Sequence, residues 1–242
     1  MAVTYNIKKM VTDGLILALD AGNAKSYSGT GSTWTDLSSQ GNNGTLTNGP
    51  TYSSDDGGSI VFDGTNDYVS AVSGSLGLNI STLMNGSNNF SLSLWFNTDS
   101  FPASTNFSDS KALFGPGLVQ LFFVFGDAAP ADQFSVRVNQ NSTWQSPVQN
   151  NSTLSTGVWY NMCVIYDSSS GYILYQNGTS VDTSNTTGSI TVSGSGSAII
   201  GALSTTSRYY DGKISQTLLY NKALTAAEVQ QNYNSLKERY GL

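Results

Sequence analysis

At 242 residues and 38% hydrophobic content, the chain is long enough to bury one sizeable core, and no break in composition divides it into two. Only 11% of residues are charged, the net charge is -6, and no Lys or Arg occurs between Lys25 and Lys111, which argues against a nucleic-acid partner held by phosphate contacts. A lone cysteine, Cys163, excludes an internal disulfide, and the apolar runs fall short of the roughly 20 residues that cross a bilayer, so no membrane insertion is expected.

Residues 1–12 read as an N-terminal arm, with Tyr5, Ile7, Lys8 and Lys9 as candidate assembly contacts, followed by one domain over 13–242. The opening MAVTYNIKKM has no apolar signal-peptide core, so synthesis in a cytoplasm is expected. A first strand, Leu15 to Leu19, stops at the turn residues Asp20-Ala21-Gly22-Asn23. Residues 22–58 are mostly Gly, Ser, Thr, Asn and Asp, and read as long ordered loops pinned by Trp34, Leu37, Leu46 and Tyr52. Strands are then expected at 59–63, 67–72, 90–98, 112–114, 119–125, 133–139, 158–167, 172–176 and 197–200. Such close spacing predicts an all-β, two-sheet antiparallel β-sandwich of jelly-roll form.

Alternation in 90–96 places Phe90, Leu92, Leu94 and Phe96 on one face, with Ser91, Ser93 and Trp95 on an open face that is a candidate binding surface. Asn177-Gly178 marks a hairpin, because both central residues of such a turn need positive φ. One short C-terminal α-helix is predicted over 225–240 by the capping-box spacing of Thr225 and Glu228 and the helical recurrence of Val229, Tyr233 and Leu236.

Five fragments in order carry a family resemblance. Ser59-Ile-Val-Phe62-Asp63-Gly64-Thr-Asn66-Asp67-Tyr68-Val69, the strand Phe90 to Phe96, Trp159 to Asp167, Tyr175 to Gly178, and Tyr210-Asp-Gly-Lys-Ile214 with Leu219 to Val229 resemble the laminin G-like, concanavalin A-like jelly rolls. The segment Gly14 to Tyr27, with Trp34-Thr-Asp-Leu-Ser and Asn42-Asn-Gly-Thr-Leu, is similar to the version of this domain in structural proteins of tailed, notably marine, phages. The resemblance implies a virion protein, either a capsid decoration or a fibre or appendage subunit, that packs against other capsid or tail proteins and copies of itself. The alternative is a free carbohydrate-binding lectin or adhesin.

A glycan-cleaving enzyme is the less expected reading. The chain has no histidine, and its only glutamates, Glu228 and Glu238, stand in the C-terminal helix, whereas glycoside hydrolysis needs two carboxylates about 5–10 Å apart. Glycan stacking is assigned to Trp95, Trp144, Tyr209 and Tyr210, since an aromatic face matches the apolar face of a sugar ring and cell-surface polysaccharide supplies such rings. The resemblance further implies Ca²⁺ near Asp63, Asp67 and Asp211, whose hard oxygens suit that ion, although Asp before Gly is also ordinary turn chemistry.

Overall fold

The computed structural model describes residues 9–71, 89–116, 121–126, 130–188, 190 and 198–242. Tyr5, Ile7 and Lys8 of the expected arm lie outside the described residues, and Lys9 is the first of them. The architecture is two eight-stranded antiparallel sheets. Sheet A contains β1 (Leu15–Asp20), β4 (Thr51–Ser53), β5 (Ser59–Asp63), β7 (Phe90–Thr98), β12 (Trp159–Asp167), β13 (Gly171–Gln176), β14 (Thr179–Ser184) and β16 (Asp211–Tyr220). Its order is β14-β13-β12-β7-β16-β5-β4, with β1 pairing the far half of β16 from Leu15↔Tyr220 to Asp20↔Gln216. Sheet B contains β2 (Thr33–Trp34), β3 (Gly44–Thr47), β6 (Tyr68–Ala71), β8 (Lys111–Pro116), β9 (Leu121–Phe125), β10 (Phe134–Gln140), β11 (Thr143–Gln149) and β15 (Ala198–Ile200), in the order β11-β10-β9-β8-β15-β6-β3-β2. One helix, α1 (Ala226–Leu236), and a 3-10 turn, Lys237–Tyr240, follow β16.

The expected sandwich is therefore what forms. Apolar residues from both sheets meet between them, among them Leu17, Phe62, Leu92, Phe96, Phe114, Phe123, Phe125 and Phe134. Phe125 stands at the middle of an aromatic cluster, with ring centroids 5.6 Å from Phe96, 6.2 Å from Phe134 and 6.5 Å from Tyr210. Each such ring withdrawn from water contributes about 1.5–3 kcal/mol, which is what offsets the chain entropy of so many short strands.

Residues 22–58, expected as loops, hold β2, β3 and β4 as well. Those strands are short, mostly Gly, Thr and Ser around the single anchors Trp34, Leu46 and Tyr52, and owe their form to pairing, as in Thr45↔Ser70 and Leu46↔Val69, which no local pattern announces. The edge of β1 not paired with β16 is closed by a side chain. The Asp36 carboxylate, buried, accepts from the N–H of Ala18 at 2.8 Å, of Ser38 at 2.9 Å and of Asn42 at 2.8 Å. The open edge of the strand is thus ended without another strand.

The outer face of sheet A departs from expectation. Ser91, Ser93 and Trp95 do point away from the sandwich core, yet the face is covered by residues 222–240. Ser91 Oγ donates to Lys222 O at 2.9 Å and accepts from Leu224 N at 2.9 Å. Trp95 lies under Tyr233 and Tyr240, with ring centroids 5.6 and 4.4 Å away. A second apolar cluster forms there from Leu218, Tyr220, Cys163 and Ile165 with Val229 of α1. Burial pushes the Cys163 thiol up to about 12, so it stays protonated and packs as a small apolar residue.

Candidate functional site

The other outer face, that of sheet B, carries the exposed chemistry. Phe134, Val136 and Val138 of β10 face the core, and strand alternation therefore turns Arg137 outward. From β10 the chain reverses through Asn141 and Ser142, and β11 returns with Gln140↔Thr143 and Asn139↔Trp144 in register. Both turn residues have positive φ, 52° and 63°, the combination a two-residue hairpin demands. Asn tolerates this conformation; for Ser it is strained by about 1–2 kcal/mol, and the strain sits next to Trp144.

Trp144 is 41% exposed, and no other Trp, Tyr or Phe is an exposed large side chain among the described residues. The Arg137 guanidinium lies 5.1 Å from the Trp144 ring centroid and 4.4 Å from that of Phe107. Arg208 reaches the same Phe107 ring at 4.1 Å, and its Nε–H donates to Phe107 O at 2.7 Å. Phe107 itself opens the 3-10 turn Phe107–Asp109 and packs on Ala112, Val124 and Leu203. The result is an alternation of cation and ring, Arg208–Phe107–Arg137–Trp144, laid on a small apolar floor. Its exposed indole can stack on the apolar face of a sugar ring, and Asn139, directly opposite Trp144 in the register, is a polar residue of the same sheet face.

Of the four aromatics assigned to glycan stacking, the structure leaves two available. Trp144 is on this face, and Tyr209 is half-buried beside Arg208, its hydroxyl donating to Thr205 O at 3.0 Å. Trp95 is corrected: it is 1% exposed beneath the two C-terminal tyrosines and presents no face to a ligand. Tyr210 is corrected as well, being wholly buried against Phe62 and Phe125, with burial driving its phenol well above the ordinary range. Phe107, Arg137 and Arg208 were not singled out by sequence. Arg137 alternates with core valines as any surface residue does, and Phe107 lies in a polar run, so only the tertiary contact assigns them.

The three aspartates assigned to Ca²⁺ do not build a cage. Asp63 is exposed and its Oδ1 accepts from Thr65 N at 2.8 Å, which is turn chemistry. Asp67 is buried, its Oδ2 accepts from Asp63 N at 3.2 Å, and burial raises its carboxyl above the usual range. Asp211 is paired with Lys111 at 3.3 Å, and Ser100 bridges the two by donating to Asp211 Oδ2 while accepting from Lys111 Nζ. Among the described residues no three His, Cys, Asp or Glu side chains converge on a point that could hold a metal ion. These residues therefore do not fit Ca²⁺.

Lys9, the described member of the arm contacts, is tied to α1: Gln231 Nε2 donates to its carbonyl at 2.6 Å, and Val11 N donates to Asn232 Oδ1 at 2.9 Å. Glu228 is engaged in structure, accepting from Thr225 N at 2.8 Å and pairing with Lys222 at 2.8 Å.

A family model for laminin G-like domains of the concanavalin A-like lectin/glucanases superfamily matches residues 63–230, more than half of the chain. The chain belongs to that superfamily. No curated protein sequence matches this superfamily member significantly. Among solved structures it is similar to domain 4 of AbnA, an extracellular arabinanase from Geobacillus stearothermophilus in complex with arabinotriose, with TM-score 0.66 and 15% identity over 92% of this chain and 100% of that one. It is also similar to the receptor-binding domain of botulinum neurotoxin type G, with TM-score 0.65 and 14% identity over 92% of this chain and 51% of that one. Trypanosoma rangeli sialidase in complex with the inhibitor DANA matches with TM-score 0.65 and 15% identity over 93% of this chain, which spans only 33% of that enzyme. At these identities the likeness is one of fold.

Proposed function

We propose that this laminin G-like domain is a non-catalytic glycan-binding module and that the sugar stacks on Trp144 on the outer face of sheet B. The observation that carries this is an exposed indole in a molecule whose other tryptophans, 34, 95 and 159, are all buried. The arabinanase domain of the same fold, described with arabinotriose, supports the reading. So does the inventory of side chains: without histidine, and with Glu228 engaged in a helix cap, the chain offers few candidates for general acid–base chemistry beyond its aspartates. The test is calorimetry of the intact protein against a panel of polysaccharides. Trp144→Ala is expected to weaken binding at least tenfold, as loss of a stacking platform does, while changing unfolding stability by less than about 0.5 kcal/mol. Equal binding by the variant would overturn the assignment.

The proposed setting is a tailed-phage particle made in the host cytoplasm, where the domain serves as a decoration or appendage subunit beside capsid or tail proteins and further copies of itself. The likeness of residues 14–46 to phage structural proteins supports it. Mass spectrometry of purified particles is expected to find the chain in stoichiometric amount, and its absence would move the proposal to a free lectin. The arm is proposed to serve assembly, so deletion of residues 1–8 is expected to abolish incorporation into particles, read by electrophoresis of purified particles; normal incorporation would overturn that role.

A further inference from the structure

We propose that Asn48-Gly49 is a site of spontaneous main-chain modification, where the chain closes on itself as a succinimide and reopens as aspartate or isoaspartate; this is independent of the glycan reading. Residues 48–50 carry the chain from β3 in sheet B to β4 in sheet A. The crossing needs positive φ twice in succession, 70° at Asn48 and 117° at Gly49, and Asn followed by Gly adopts this with little strain. The same pair is chemically labile, because a five-membered ring can close between the Gly nitrogen and the Asn side-chain carbon with no Cβ in the way. The space around it is open: a Cβ added at Gly49 would meet nothing nearer than Asp67 Oδ1, at 3.9 Å.

Two other Asn-Gly steps lie among the described residues, and their surroundings hold them shut. Asn43 Oδ1 accepts from Asp36 N at 2.9 Å, and Gly44 is a buried residue of β3 paired with both Trp34 and Ala71, so its N–H belongs to the ladder. Asn177 exchanges two bonds with Asn161, at 2.8 and 2.9 Å, and Gly178 lies against the Tyr233 ring. Asn48 and Gly49, by contrast, are both exposed; the Asn48 amide donates to Asn66 O at 2.9 Å, and no hydrogen bond holds Gly49 N among the described residues. In the reaction Gly49 N gives its proton to solvent and bonds to Asn48 Cγ, while the Cγ–Nδ2 bond breaks and the amide nitrogen takes a proton from solvent and leaves as ammonia. Water then adds to one imide carbonyl. Breaking the new Cγ–N bond yields aspartate; breaking the original peptide bond yields isoaspartate, whose main chain runs through Cβ and Cγ and is one carbon longer. Neither product can donate to Asn66 O, and both add a carboxylate to a turn that already holds Asp63 and Asp67.

The experiment ages the full chain in mildly alkaline buffer, folded and in urea, and follows each Asn-Gly step by peptide mapping with fragmentation that tells aspartate from isoaspartate. In the folded protein Asn48 is expected to convert about tenfold or more faster than Asn43 and Asn177, which react only after local opening, whereas in urea the three rates are expected to agree within about threefold. Equal rates in the folded chain, or Asn48 slower than either of the others, overturns the assignment. The aged fraction, separated by anion exchange through its added charge, is expected to unfold about 2–4 °C below fresh protein, because the joint between the sheets has lost a hydrogen bond and, in isoaspartate, its backbone length. Asn48→Asp, which carries the charge without the longer chain, is expected to show only part of that shift. An aged fraction with the midpoint of fresh protein overturns the claim that modification at this crossing loosens the sandwich.

Discussion

Trp95 and Trp144 carry the same ring on outer faces of the two sheets, and what happens to each is decided by residues far away in sequence. Trp144 has the guanidinium of Arg137 over its ring and is 41% exposed, whereas Trp95 is stacked by Tyr233 and Tyr240 from the C-terminal segment. Local alternation reads Trp95 as outward-facing and is correct in that. It cannot see that a helix lands on one of them. Burial of Trp95 on all sides makes it a structural residue: Trp95→Ala is expected to cost about 3–5 kcal/mol, measured by urea unfolding, because the two tyrosines cannot collapse into the space left. A loss below about 1 kcal/mol would mean that the C-terminal cover contributes little to stability. Tyr210 shows the same limit of local reading. It was paired with Tyr209 as a rim aromatic, yet adjacent residues of an extended segment point to opposite sides, and Tyr210 is the one turned to Phe62 and Phe125.

At the level of elements, legibility follows hydrophobicity. The strands with apolar alternation, β5, β7, β12 and β13, fall where their patterns place them, and α1 starts at the capping box read from Thr225 and Glu228, both halves of which form. Hairpin β10–β11 was missed because its turn is Asn-Ser rather than Asn-Gly and its return strand is polar. The site therefore lies on the element that sequence describes least well, and only its Trp144 stood out. The capping box offers a pH-dependent check. Lys222 and the Thr225 N–H hold the Glu228 carboxyl below its usual range. A carboxyl depressed in the folded state contributes stability above its unfolded value, about 4.3, and loses it as pH falls through the lower folded value. Glu228→Gln keeps an acceptor for Thr225 N and discards the charge. It is expected to be less stable than the parent by about 0.5 kcal/mol at pH 7, allowing for solvent screening, with the difference vanishing by about pH 3. Unfolding curves at pH 3, 5 and 7 read this directly; a constant difference would show that the carboxylate's charge is irrelevant to the cap.

For the molecule as a whole, the governing fact is that the beginning and the end of the domain are one structure. Leu15 pairs Tyr220 and Asp20 pairs Gln216, while the same β16 pairs β7 from Gly212↔Thr98 to Tyr220↔Ser91 and β5 from Asp211↔Asp63 to Ile214↔Ile60. β16 is thus a central strand of sheet A, although it comes after all the others of that sheet in sequence. Removing it strips hydrogen-bond partners from three strands at once and uncovers Trp95, since α1 and the 3-10 turn leave with it. A chain ending at residue 209 is expected to lack a cooperative thermal transition, to emit tryptophan fluorescence at the wavelength of solvated indole and to bind a hydrophobic dye. The intact chain is expected to fold slowly, in milliseconds to seconds or longer, because its defining contacts join residues about 200 apart. If the fragment melted cooperatively with buried tryptophan, sheet B and the remaining strands of sheet A would form a self-sufficient unit, and the pairing of first and last strands would be a late addition to the sandwich instead of the step that completes it.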